Sequence, residues 1–222
     1  MTYLLHKEIE KLKQHILTLV AEVEENVSMS VNALINYNSE LAEKVINIDL
    51  KIDQMEVELE EECLKILALH QPVANDLRFI IAVLKINNDL ERISDLAVNI
   101  SERAEFLVTR KRIDISFDFS VMAQKSQDML RKSIDALVTL NTDIAYEVCK
   151  ADDEVDGLNR EFYDIVKTVI RKNPEYIEEM THYLGVSRHL ERIADHATNI
   201  AEDVIYMIDG NIVRHHVEDY KS

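Results

Sequence analysis

Residues 89–102 read DLERISDLAVNISE, and one hundred residues later, at 189–202, the chain reads HLERIADHATNIAE. Nine of the fourteen positions are identical, among them Glu91/Glu191, Arg92/Arg192, Asp95/Asp195 and Asn99/Asn199. A period of this length is too long for a solenoid unit and suits a duplicated small domain. The repeated residues include carboxylates four apart, a spacing at which like charges repel along an isolated helix. The duplication therefore points to a site copied together with its scaffold.

Outward from this stretch the pattern is helical. Ile86, Leu90, Ile93, Ala97, Ile100, Ala104 and Leu107 alternate steps of four and three, the spacing of a bundle seam. Three Gly and two Pro in 222 residues leave few breakers, so the helices are long. The spacing predicts helices over about 3–37, 40–70, 73–109 and 118–140, a fifth ending near 172 and a sixth ending near 209. Asn38 or Ser39 caps the second helix and Asn141 with Thr142 the fifth. Asn173-Pro174 makes the last break, and Gly210 ends the final helix. RKRIDISFD at 110–118 interrupts the pattern and is the boundary. The fold class is all-α, two pseudo-symmetric three-helix bundles spanning 1–112 and 113–222.

A formal net charge of -17 argues against nucleic acid, whose phosphates need clustered Lys and Arg. It suits a chain that binds cations or basic partner surfaces. Cys63 and Cys149 occupy unmatched positions of the two copies, which argues against a disulfide framework and for a reducing cytoplasm. The N-terminus lacks a signal-peptide core, and no segment approaches the roughly 18 uncharged apolar residues of a membrane span. The expected location is cytoplasmic.

A second echo joins IDLKID at 48–53 to ADDEVD at 151–156, so Asp49 and Asp53 match Asp152 and Asp156. Four pairs then share one pattern, a carboxylate, three residues, an Asp: Asp49/Asp53, Glu91/Asp95, Asp152/Asp156 and Glu191/Asp195. In an antiparallel hairpin, residues equidistant from the turn lie side by side. Asp53 and Glu91 are each 19 residues from Pro72, and Asp49 and Asp95 are each 23 from it. Asp156 with Glu191, and Asp152 with Asp195, are likewise centred between Asn173 and Pro174. Each hairpin brings four carboxylates to one level, roughly 28 Å from its turn. Four such groups raise one another's pKa unless a cation offsets their charge. All-oxygen ligation favours hard metals (Fe, Mn, Mg or Ca) over Zn, and that many oxygens suit a multinuclear site. The plainer alternative is a solvated acidic face, because Glu91, Asp95 and Glu102 fall nearly opposite the apolar seam. An exposed cluster cannot exclude water, which counts against catalysis.

Other residues read more simply. Glu179 and His182 have the spacing of a di-iron ligand pair, but residue 79, the counterpart of Glu179, is Phe. His189 and His196 flank the second acid pair, where solvated or packing roles outweigh ligation, and His215 with His216 reads as solvated. Arg92 and Arg192 are candidates to orient the carboxylates, together with Asn99 and Asn199. Met and Tyr at helical spacing are core and rim. There is no Gly-rich phosphate loop, nucleophile elbow or Cys/His dyad.

The duplicated acid pairs, HQPVANDLRFIIAVLKINNDLERISDLAVNI at 70–100 and HLERIADHATNIAEDVIYM at 189–207 resemble the PhoU family, over essentially the whole chain. That resemblance implies surface metal clusters on the eight paired carboxylates. It implies a cytoplasmic adaptor rather than an enzyme, in agreement with the missing catalytic motifs, that works between the phosphate ABC transporter, through its ATPase subunit, and a phosphate-responsive sensor histidine kinase. Such an adaptor is a negative regulator of the phosphate-starvation response, reaches the membrane only through its partners, and leaves a homodimer open. The departure from the pattern is His189 and His196 in the second copy, which bears on the metal there. The competing reading is a carboxylate-bridged metalloenzyme or metal-storage bundle.

Overall fold

The computed structural model describes residues 2–113 and 116–210. Six long helices carry the described chain: α1 (Thr2–Asn36), α2 (Ser39–His70), α3 (Ala74–Val108), α4 (Phe119–Thr139), α5 (Thr142–Lys172) and α6 (Ile177–Asp209). A single 3-10 turn at Pro174–Tyr176 leads into α6. Among the described residues there is no strand, and no helix is long and apolar enough to cross a membrane.

The helix ends follow from local chemistry. The Asn38 side chain accepts from the Leu41 amide, Asp118 from Ser120, and Asn141 from Asp143 and Ile144, each satisfying orphan donors of a first turn. The turn before α2 and the turn before α5 are one device used twice. Tyr37 and Leu140 take left-handed φ of 52°, and the next amides, Asn38 and Asn141, reach back to Ala33 and Ala136 carbonyls at 2.9 and 3.1 Å. Gly210 ends α6 at φ 74°.

Helices α1–α3 and α4–α6 form two three-helix bundles that share one continuous core. Their third helices pack against each other antiparallel. Arg110–Glu178, Phe106–His182, Asp89–His196, Lys85–Asp203 and Arg78–Met207 run in opposite numerical order along the seam. Positions one hundred apart exchange partners across it: Lys85 Nζ meets Asp203 at 2.7 Å, while Arg103 passes over Gly185, where a Cβ would collide with its guanidinium. A pseudo-twofold axis therefore crosses the seam near Ile93 and Ile193. His215 and His216 lie outside the described residues.

Candidate functional site

The hairpins place the eight carboxylates as their turns require. Asp49 and Asp53 stand on α2 beside Glu91 and Asp95 on α3, and Asp152 and Asp156 on α5 beside Glu191 and Asp195 on α6. The pairs equidistant from each turn are electrostatic neighbours. Asp95 raises Asp49, Asp53 raises Glu91, Asp195 raises Asp152, and Asp156 raises Glu191. Four carboxylates are thus brought together twice on the flank of each hairpin, half-buried except for the exposed Asp53 and Asp195.

Each cluster has its own supports. In the first, the Ser94 hydroxyl donates to Asp49 Oδ1 at 2.6 Å and itself accepts from Asn26 Nδ2 at 3.1 Å. Asn26 and Ser94 are fully buried on α1 and α3, so all three helices hold this one carboxylate. Arg92 reaches Glu91 at 3.3 Å and Asp95 at 3.4 Å. In the second, Ser187 donates to Asn159 at 2.7 Å, and Asn159 donates to Glu191. Arg160 approaches Asp156 at 3.8 Å. Burial raises Asp49, with Asp53 and Asp95 adding to it against the Ser94 hydrogen bond. Burial, then the charges of Asp195, Asp156, Asp153 and Glu191, push Asp152 up to about 6.

The proposed orienting residues divide. Arg92 contacts its carboxylates, while Arg192 touches Asp195 only through its charge. Asn99 turns its amide to the Asp95 backbone carbonyl at 2.7 Å. Asn199 lines a groove of about 580 Å³ between α3 and α6, with Lys85, Asp89 and Asp203. Sequence reasoning missed Glu56, half-buried next to Asp53 and held by Asn87 Nδ2 at 3.1 Å, and the Asn26–Ser94 relay. Glu56 matches Asn159 at the offset that pairs Asp53 with Asp156, a signal present in the sequence.

The histidines serve packing. His196 Nδ1 meets Asp89 Oδ1 at 2.8 Å across the α3–α6 seam, and His189 Nε2 accepts from Arg103 at 3.0 Å. Burial and three arginines hold His189 down at about 4, in its neutral form. His182 stacks flat on Phe106. Among the described residues, no group of three or more His, Cys, Asp or Glu side chains already stands in a geometry that could hold a metal ion. By donor chemistry the carboxylates suit a hard cation: all ligand atoms are oxygen, and the groups repel one another.

Comparison with known proteins agrees with this architecture. The PhoU domain model matches twice, over residues 16–104 and 119–204. A phosphate-specific transport system accessory protein PhoU homolog of Aquifex aeolicus is 38% identical over 216 residues, 97% of this chain and 98% of its own length. Its counterpart in Clostridium acetobutylicum is 36% identical over 207 residues, 93% of this chain and 94% of the relative. The crystal structure of PhoU from Pseudomonas aeruginosa superposes with a TM-score of 0.87 at 37% identity, covering 93% of this chain and 99% of that one. The phosphate transport system regulatory protein PhoU of Streptococcus pneumoniae gives 0.84 at 30% identity, covering 94% and 99%. Both bundles match the family model, and the relatives are similar over nearly their whole length: the chain belongs to the PhoU family.

Proposed function

We propose that this chain is a cytoplasmic accessory regulator of phosphate transport, a metal-binding adaptor between the phosphate ABC transporter and a sensor histidine kinase. In this role it helps keep the starvation response silent when phosphate is plentiful. The observation that carries the reading is the twofold gathering of four carboxylates on the α2–α3 and α5–α6 hairpins, in a chain whose relatives are named as accessory or regulatory proteins of phosphate transport. Asp49, Asp53, Glu91 and Asp95 would hold the cation of one bundle, and Asp152, Asp156, Glu191 and Asp195 that of the other. A hard cation at each cluster offsets the carboxylate charge and ties the two helices of its hairpin. Arg92 then limits how far Glu91 and Asp95 turn, and the Asn26–Ser94 relay fixes Asp49.

The test is complementation of a host lacking its own PhoU, read with a starvation-promoter reporter in high phosphate, together with binding of the purified chain to the kinase and the transporter ATPase. Silencing by the wild-type chain, lost in Asp53→Asn/Asp95→Asn, is the expected outcome. Failure to silence, with no binding to either protein, would overturn the reading.

A further inference from the structure

We propose that the outer face of α2 is a docking seam for a basic amphipathic helix of a protein partner. Leu50, Val57 and Leu64 are 73%, 46% and 52% exposed, and they recur every seventh residue. Seven residues make nearly two turns, so the three side chains form one stripe, roughly 21 Å long at 1.5 Å per residue. Single exposed apolar residues are ordinary, but three at one heptad position form half of a helix–helix seam.

The fold does not require them. At the matching positions of α5 stand Asp153, Arg160 and Lys167, so that helix packs on its bundle with no apolar heptad stripe there. The stripe was therefore kept or acquired by one half alone.

The edges of the stripe identify its occupant. Asp53 and Glu60 line one side, Glu58 and Glu61 the other. Lys51 is turned back to Glu22 on α1 at 2.7 Å, and Lys65, next to Leu64, is outnumbered by these acids. Over its length α2 carries nine Asp and Glu against three Lys. A second copy of this helix would set like charges against each other, and an anionic membrane surface would repel it equally. A helix with an apolar residue every seventh position and Lys or Arg on its flanks satisfies both the stripe and its rims. The proposal rests on the adaptor reading only in expecting a protein partner; the surface itself is tested without one.

Two synthetic 21-residue peptides of identical Leu/Ala/Lys composition serve as probes, one with a heptad leucine stripe and one scrambled. The full chain carries the photocrosslinker benzoylphenylalanine at position 57 or, separately, at position 160. Striped peptide crosslinking at 57 and not at 160, binding at least tenfold tighter than scrambled, is the expected result. Leu50→Ser/Leu64→Ser should abolish the tenfold preference without moving the Tm, since both side chains are exposed. Equal binding of the two peptides, crosslinking as strong at 160, or crosslinking of the chain to a second copy through 57 would overturn the proposal. Reporter silencing reads the regulatory function independently, so the two ideas fail separately.

Discussion

The two bundles are copies that treat their carboxylates differently. In the first, Asp49 is bonded by Ser94, Ser94 by Asn26, and Glu91 and Asp95 share Arg92. In the second, Ala194 replaces Ser94 and offers no hydroxyl to Asp152, and Met129, 103 residues after Asn26, has no amide to give. Burial, with the charges of four carboxylates added to it, raises Asp152 to about 6. Duplication preserved the acid pairs and their register, while the supporting shell diverged. The first cluster braces its α2 carboxylate, Asp49, whereas the second braces Glu191 through Asn159 and leaves the repulsion on Asp152 for a cation to offset.

The largest effect should come from the cores beneath the clusters. The second bundle is filled by Phe162 against Phe117 and Phe119, with centroids at 4.5 and 4.9 Å, where the first has Leu59 at the matching position. Both side chains are buried, so Phe162→Ala should cost about 4 kcal/mol and Leu59→Ala about 3 kcal/mol in urea unfolding. Equal, small losses would mean that the bundles do not share one cooperative core.

Next is the brace itself. Ser94→Ala strands the fully buried Asn26 amide and should cost about 1–3 kcal/mol, measured the same way. A loss near zero would show that the relay does not hold Asp49.

Asp152 sets a pH dependence. The folded pKa of Asp152 lies above the ordinary value of 3.8, so the folded state binds the proton more tightly than the unfolded one. The stability this confers is complete below pH 3.8 and is lost as pH rises through about 6. Chelator-treated protein should therefore gain stability on acidification from pH 7 to 5, the reverse of a salt-bridged carboxylate. With Asp152 partly open to solvent, Asp152→Asn should recover about 1–2 kcal/mol at pH 7 and change little at pH 4. A variant that follows the wild-type pH profile would contradict the juxtaposition.

The smallest effect separates the two left-handed turns. Leu140 is 58% exposed at φ 52°, a conformation glycine adopts freely, so Leu140→Gly should stabilise by about 0.5–1 kcal/mol in thermal melts. Tyr37→Gly, at the same φ, should destabilise, because its hydroxyl meets that of Tyr183 and Arg112 lies over its ring.

Much of this was legible from the chain. The hairpin register about Pro72 and about Asn173-Pro174 followed because helical rise is fixed and the turns are short, leaving the acid pairs no other level to occupy. Asn38, Asn141 and Gly210 were readable as ends because their side-chain or backbone chemistry is local. The antiparallel α3–α6 seam was not legible. Lys85 with Asp203, and Arg103 over Gly185, look like scattered charges until the two copies face each other. The Ser94/Ala194 difference stood in plain view in the repeat, but its meaning depends on Asp49, 45 residues away on α2. The surface reading of Glu91 and Asp95 considered only their own helix, and α2 is what half-buries them.

The most direct measurement is elemental analysis of untagged protein purified without chelator: wild type, Asp53→Asn/Asp95→Asn and Asp156→Asn/Asp195→Asn. The account predicts stoichiometric hard metal in the wild type, with each variant losing the share of its own bundle and keeping the other. A wild-type chain free of metal, or variants with unchanged content, would contradict it and leave the eight carboxylates as a solvated acidic face.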